Sequence, residues 1–303
     1  MLAKTNLRNV SSKIKITKEH EIFDFGWLKI KTDRKNNIKR NAILWIFENS
    51  WPHMLMNYIS NHPNLVRWKN IFEPFAGSWA IWLMSLKKWA KQIDFLDINK
   101  KAIEYIKQNI EINNFPAWKY KTILEDIKKY KPKHKYNTIF ANPPFVPVPK
   151  WVSHSLHTWW GTDWNLYNII LINKLSELLL PKWEVFIYTL QIENKKWPII
   201  LNNLEDKNRH IECMKMYKTS YSFQKFIESY KKKSPKNREN IDTRAKWLQK
   251  KYWEKLTLNS YIIYIKNTGK RTLSIIENDW TKYWKWFFKN IEFYKKFLQY
   301  IGN

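Results

Sequence analysis

Hydrophobic positions follow two alternating rhythms along the middle of the chain. KNIFEPF (Lys69–Phe75) and QIDFLDI (Gln92–Ile98) are short apolar runs bounded by polar residues, as buried strands are. Between them Ala80–Trp89 reads as a helix, and after them NKKAIEYIKQNIEINN sets Ala102, Ile103, Ile106 and Ile110 at helical spacing. WKYKTILEDI supplies a third strand ending near Leu124, and YNTIFANPPF a fourth ending at Asn142. Leu166–Leu180 is a strongly apolar helix stopped by Pro181, and Glu184–Leu190 is a fifth strand. Alternation at this pitch predicts an α/β fold, with a doubly wound, mostly parallel sheet covered by helices on both faces.

The flanks are less regular. Residues 1–68 form a leader with a short hairpin around IFDFGWLKIKTD and an apolar helical stretch over Asn41–Ser60. Beyond Leu190 the pattern gives a helix near Pro198–Asp206, a strand at Arg209–Tyr217, basic helical segments over Ser220–Lys251 and a strand at Leu258–Asn267. The last two strands are expected to close the sheet as an antiparallel pair, with a basic helical insertion at about 218–252 between them. Lys231–Asn240, charged and proline-bearing, is the expected exposed loop. The division is therefore a leader (1–68) for substrate recognition, a main domain (69–267) and a C-terminal extension (268–303).

Composition changes this picture in three ways. The 44% hydrophobic content supports a real core, while no run of eighteen apolar residues and no signal-peptide pattern is present, so a cytoplasmic protein away from membranes is expected. Cys213 is the one cysteine, which excludes an internal disulfide and a cysteine-built zinc site; a small buried side chain is expected there. The net charge of +28 suits a polyanionic partner such as nucleic acid. Heavy use of Lys, Asn and Ile is also what an AT-rich coding sequence produces, so a solvated basic surface is the competing reading.

Candidate chemistry sits at four strand ends, where an open parallel sheet binds its ligands. Glu73 precedes the turn FAGSW, which brings an acid and exposed backbone N–H groups to one crevice. Asp97 lies twenty residues after Gly77, the spacing at which a carboxylate accepts hydrogen bonds from the ribose hydroxyls of an adenosine-containing cofactor. Asp126 in LEDI is placed to take an adenine amine, with Ile127 against the ring. At the fourth end stands Asn142-Pro143-Pro144-Phe145. The two prolines fix φ and remove donors, so the Asn side chain and nearby carbonyls are held as acceptors for a planar –NH₂ group. Phe145 then stacks on the flat acceptor, and transfer depends on positioning more than on a strong base. Alone, NPPF also reads as a polyproline turn exposing an aromatic.

Together EPFAGSWAIWLMSL, FLDINKKAIEYIKQNIEINN, LEDI and IFANPPF resemble class I S-adenosylmethionine-dependent methyltransferases of the amino-methylating kind. The segment from NPPF to EVFIYTL is similar to the HemK-like group, which includes release-factor glutamine methyltransferases and relatives acting on nucleic-acid amines. The likeness covers about residues 69–192. It implies a seven-stranded Rossmann-like sheet and S-adenosylmethionine as cofactor. It further implies that Glu73, Phe75, Ala76, Gly77, Ser78 and Trp79 line the methionine part, Asp97 and Ile98 the ribose, and Asp126 and Ile127 the adenine. Asn142 to Phe145 would hold the acceptor nitrogen, with Asn142 also facing the cofactor. The acceptor implied is an RNA or DNA base or a glutamine of a translation-related protein.

The departures from that family share a direction. Gly77, Trp79 and Trp82 stand at the spacing of a G-x-G-x-x-G turn, and Trp89, Trp159, Trp160, Trp164 and Trp183 also replace family glycines. The chain has 19 Trp and 5 Gly, together 24, where a chain of this length ordinarily holds about twenty glycines. We read most of these tryptophans as UGA codons that the source organism decodes as glycine, since a Cβ is penalised at positive φ and an indole would fill the cofactor's volume. Trp45 reads as a true tryptophan; Trp68, Trp247 and Trp253 are unassigned. If the tryptophans are literal, a non-catalytic nucleic-acid-binding protein on a degenerate methyltransferase fold is the competing reading. TKYWKWFFKN (Thr281–Asn290) is then a base-stacking platform, and with glycines it is an ordinary turn. His154 and His157 follow NPPF and read as loop histidines.

Overall fold

The computed structural model describes residues 13–16, 20–24, 29–33, 63–77, 85–86, 89–144, 165–194, 197–204, 209–216, 220–233, 235, 238–252, 255–270 and 272–277. The leader stretch 41–60, most of the helix expected over 80–89, and residues 145–164 and 278–303 lie outside them.

Strands β4 (Asn70–Pro74), β5 (Gln92–Asp97), β6 (Tyr120–Leu124), β7 (Tyr136–Ala141) and β8 (Leu179–Glu193) run parallel in the order β6-β5-β4-β7-β8. The chain moves outward from β4 through β5 to β6, then crosses back to lay β7 on the other side of β4. That reversal opens a crevice above the carboxyl ends of β4 and β7. The expected antiparallel closure is present: β11 (Thr257–Asn267) pairs with β8, and β9 (Arg209–Lys215) with β11.

Among the described residues the sheet has nine strands where seven were expected. β10 (Tyr221–Ser222) adds a two-residue ledge on β11, and β12 (Thr272–Glu277) runs parallel to β9 at the edge. β12 falls in the segment read as a C-terminal extension; its TLSIIE pattern is mostly exposed, with only Ser274 and Ile275 half-buried, which suits an edge and gave no strong sequence signal.

Helix α1 (Lys100–Ile112) follows β5, and α2 (Leu166–Leu178) precedes β8. Leu171, Leu175 and Leu178 of α2 pack on Phe72, Ile139, Val185, Ile187 and Ile263 to form the main core. The helix ends at Leu178 and the chain enters β8 at once, so Pro181 lies inside the strand rather than stopping the helix. It sits at a break in register, where Tyr136 faces Leu179 but Thr138 faces Glu184, a place that needs no N–H from it. Cys213 is buried in the same core, and burial pushes its thiol up to about 12.

The basic insertion is a helical hairpin, α3 (Phe223–Lys233) and α4 (Arg238–Tyr252). Phe223, Ile227, Ile241, Ala245 and Leu248 pack with Ile192 of β8 and Leu258 of β11. The expected loop Lys231–Asn240 is shorter than its charge suggested, because both helices run into it. Lys231 bonds Asp242 at 2.8 Å and Glu228 at 2.7 Å, which lets α3 continue through a lysine run. The helix expected at Pro198–Asp206 is a 3₁₀ turn over Ile199–Asn203.

In the leader, β1 (Lys13–Ile16), β2 (His20–Asp24) and β3 (Lys29–Asp33) form a separate antiparallel sheet. β3 docks on α1 through one polar ridge of the helix. Asn109 accepts from the Lys31 N–H at 2.6 Å and donates to its carbonyl at 3.1 Å; Asn113 does the same with Lys29 at 2.8 and 2.7 Å. Tyr105 donates to Asp33 at 2.7 Å and Lys101 pairs with it at 2.6 Å.

Two helix ends have the same turn but different residues. After α1, Phe115 donates to the Ile110 carbonyl and Asn114 to that of Glu111, with Asn114 at φ 54°. Before β5, Ala90 donates to Ser85 and Trp89 to Leu86, with Trp89 at φ 75°. Both are Schellman caps, whose left-handed position favours glycine and tolerates asparagine. Trp68 is also left-handed, at φ 60°, and its N–H bonds the Trp89 carbonyl at 2.9 Å. Both indoles are exposed, at 65% and 58%. Trp183 differs: its backbone is not left-handed, it is buried, and Arg209 lies over its ring at 5.6 Å. The glycine reading therefore finds no backbone requirement at 183.

Candidate active site

The carboxyl ends of β4, β5, β6 and β7 bring the expected acids and the asparagine to one side of the sheet. β4 delivers Glu73, which is buried, and then turns sharply at Phe75 (φ 66°), Ala76 and Gly77 (φ 56°). A left-handed aromatic is costly, and such strain persists only where the surroundings impose it. Here the turn is fixed from β5: Ala76 donates to the Leu96 carbonyl at 3.0 Å and Gly77 to Asp97 Oδ2 at 2.8 Å. Asp97 Oδ1 accepts from the Asn99 N–H at 2.8 Å, so one carboxylate ties the β4 turn to the start of α1. Ser78 and Trp79 lie outside the described residues.

The electrostatics of this corner are unfavourable without a ligand. Burial, and secondarily the neighbouring Asp97 charge, hold the Glu73 carboxyl well above the usual carboxylate range. Burial raises Asp97 as well, partly offset by the N–H groups of Asn99, Gly77 and Ile98. Glu73 Oε2 has no hydrogen-bond partner among the described residues. A group carrying an ammonium and hydroxyls would supply the missing donors, and the amino acid and ribose parts of S-adenosylmethionine have both.

The adenine residues divide. Ile98 is 55% exposed at the end of β5, an open apolar surface beside Asp97. Ile127 is 2% exposed and packs into the main core, because the turn after β6 directs it under the sheet. Of the two isoleucines the resemblance placed at the cofactor, Ile98 is thus the exposed one and Ile127 the buried one. Asp126 accepts from the Lys128 N–H at 2.9 Å and is half-buried.

At the end of β7, Asn142 Oδ1 is buried without a partner among the described residues, Pro143 is buried and Pro144 half-buried. Phe145, His154 and His157 lie outside the described residues. Sequence reasoning missed Tyr167 of α2. Its ring meets Phe75 edge-on at 5.5 Å and has Lys128 over it at 5.2 Å; burial and then the Asp126 charge push its hydroxyl up to about 12. An aromatic two residues after Asn165, at the helix start nearest the NPPF loop, was the available signal. Also missed was a buried amide cluster: Gln191 donates to Asn165 at 2.9 Å and to Thr189 at 2.8 Å, and Asn168 reaches the same two oxygens.

Residues 74–155 match the family model of the methyltransferase small domain. The matched stretch runs from the end of β4 past Asn142 and so contains most of the crevice. It supports a methyltransferase with S-adenosylmethionine as its cofactor. Among solved structures, M. jannaschii TYW2 in complex with AdoMet is 14% identical, with 84% of this chain and 90% of that one covered at a TM-score of 0.48. A SAM-dependent methyltransferase from Agrobacterium tumefaciens is 13% identical, with 84% and 71% covered at a TM-score of 0.42.

Proposed function

We propose that the chain methylates a planar amine or amide nitrogen, as the HemK-like NPPF group does, and that its acceptor is an RNA base. The observation that carries this reading is Asn142 Oδ1, an acceptor fixed at the end of β7 by two following prolines and buried without a partner. An –NH₂ group donating to it has its lone pair directed across the crevice toward the Glu73 and Asp97 side. When bound there, the cofactor supplies an electrophilic methyl on a sulfonium. With it bound, the nitrogen held by Asn142 would take that methyl and give up one proton to solvent. Asp97 would hold the ribose, Glu73 the ammonium, Ile98 and Asp126 the adenine, and the leader sheet on α1 would contribute to acceptor recognition. RNA is favoured over a protein glutamine by the charge of +28 and by the basic helical hairpin.

The native protein also carries glycine at most UGA-encoded positions on this reading. Support comes from Trp89 and Trp68, which occupy left-handed backbone with exposed indoles. Peptide mass spectrometry of the protein from its source tests the decoding: glycine masses at 68, 79, 82 and 89 are expected, and indole masses there reject it. Incubating that protein with labelled S-adenosylmethionine and separate RNA, DNA and protein fractions tests the acceptor. Label in RNA is expected; label in protein alone moves the acceptor to glutamine, and no label in any fraction rejects catalysis.

A further inference from the structure

We infer that the outer face of α4 is a docking surface for a single-stranded segment of RNA, with Trp247 as its stacking platform. This rests on the proposed RNA acceptor, and it assigns a place of binding that the crevice does not provide. Ile241, Ala245 and Leu248 turn one face of α4 into the hairpin core. The spacing of the helix then puts Lys246 and Lys250, and Trp247 and Lys251, on the opposite face as two i, i+4 pairs. All four are exposed. Arg244 lies over the Trp247 ring at 3.8 Å and Lys251 at 4.9 Å.

Lys246, Lys250 and Lys251 make no ion pair among the described residues. The acids of α4, Glu239 and Asp242, lie in its first turns, and Asp242 is already engaged by Lys231. The face is therefore one indole beside three exposed lysines. That combination suits a nucleic-acid strand, whose bases stack on aromatic rings while its phosphates take the lysines. An acidic peptide would use the cations but leave the indole idle.

The position agrees with the proposed chemistry. The hairpin is anchored by Ile192 and Leu258, where β8 ends and β11 begins. β8 runs parallel to β7, so this end lies on the same rim as Asn142, with Ile187 level with Ala141. From Ile187 to Glu193 the strand rises about 20 Å, a few nucleotides of extended chain. A strand held on α4 can thus reach the crevice. Trp247 also sits inside a helix, where glycine costs about 1 kcal/mol relative to alanine, so a true tryptophan suits this position as glycine suits 89.

The test uses the chain with the residues that mass spectrometry assigns, and a fluorescent 20-nucleotide mixed-sequence RNA followed by anisotropy. Lys246→Glu with Lys250→Glu is expected to weaken binding at least tenfold near 0.1 M salt and to flatten its salt dependence. Trp247→Leu is expected to weaken it about tenfold with the salt slope unchanged. Unchanged S-adenosylhomocysteine binding by calorimetry shows that each variant is folded. RNA affinity within twofold of the parent in both variants, equal or tighter binding of single-stranded DNA, or a glycine mass at 247 overturns the docking surface. If RNA is methylated while the variants bind normally, only the docking surface fails. If RNA binding is lost in the variants but no RNA is ever methylated, the acceptor reading fails and the docking surface stands.

Discussion

Asn114 and Trp89 share one backbone conformation and differ in what it costs them. Both close a Schellman cap with the same pair of hydrogen bonds, and both sit near φ 60°, yet asparagine reaches that region readily and tryptophan does not. The cost of a Cβ there is about 1–2 kcal/mol. In the literal chain, Trp89→Gly is therefore expected to raise the melting temperature by about 2–4 °C despite removing a large side chain, because that side chain is exposed. Thermal unfolding by circular dichroism reads this directly, and a lower melting temperature contradicts it. Glu73 gives a second prediction at this scale. Its folded carboxyl titrates above the ordinary range, so the unliganded fold holds a proton that the unfolded chain has lost. Stability is then greatest below the ordinary carboxylate value and falls as pH rises through the raised one. Glu73→Gln is expected to flatten this decline and to stabilise the unliganded protein at neutral pH by about 1–3 kcal/mol. The same change is expected to weaken cofactor binding at least tenfold, measured by calorimetry.

At the scale of elements, the polar ridge of α1 decides where the leader sits. Replacing Asn109 by Leu leaves the Lys31 N–H and carbonyl without partners, and a loss of about 2–4 kcal/mol in urea unfolding is expected. The apolar stripe of α1 was legible, because Ala102, Ile103, Ile106 and Ile110 repeat at helical spacing. The ridge was not, since Lys, Tyr and Asn on a helix read as solvent-facing until a partner is known. The five parallel strands and their antiparallel closure were legible for a similar reason: buried strands are continuous apolar runs. β10 and β12 are short, half-exposed edge pieces, and their pairing is set by neighbours that no local pattern names. Of the candidate site, Glu73, Asp97 and Asn142 were singled out from their places at strand ends, and the structure brings those strand ends to one side of the sheet. The burial of Ile127 and the contact of Tyr167 with Phe75 depend on tertiary packing that no local pattern names.

For the whole molecule, the crevice and the helical hairpin share one rim of the sheet. Chemistry and grip are then separable by mutation. On the proposed reading, in which Asn142 positions one nitrogen, Asn142→Ala is expected to lower methyl transfer at least a hundredfold while RNA affinity stays within twofold. Raising salt from 0.05 to 0.2 M is expected to do the reverse: weaker RNA binding with little change in turnover of bound RNA. Single-turnover kinetics with labelled cofactor distinguish the two. The leader is held differently from the hairpin, through the main chain of β3. Every fourth residue of a helix advances about 6.0 Å, and every second residue of a strand about 6.7 Å, so amides at 109 and 113 can keep step with Lys29 and Lys31 before the two repeats drift apart. Such a joint reads no side chain of the strand it holds, apart from Asp33 at its end. Its outward residues can change without loosening it, so the sequence of β3 is free to vary where its main chain is not.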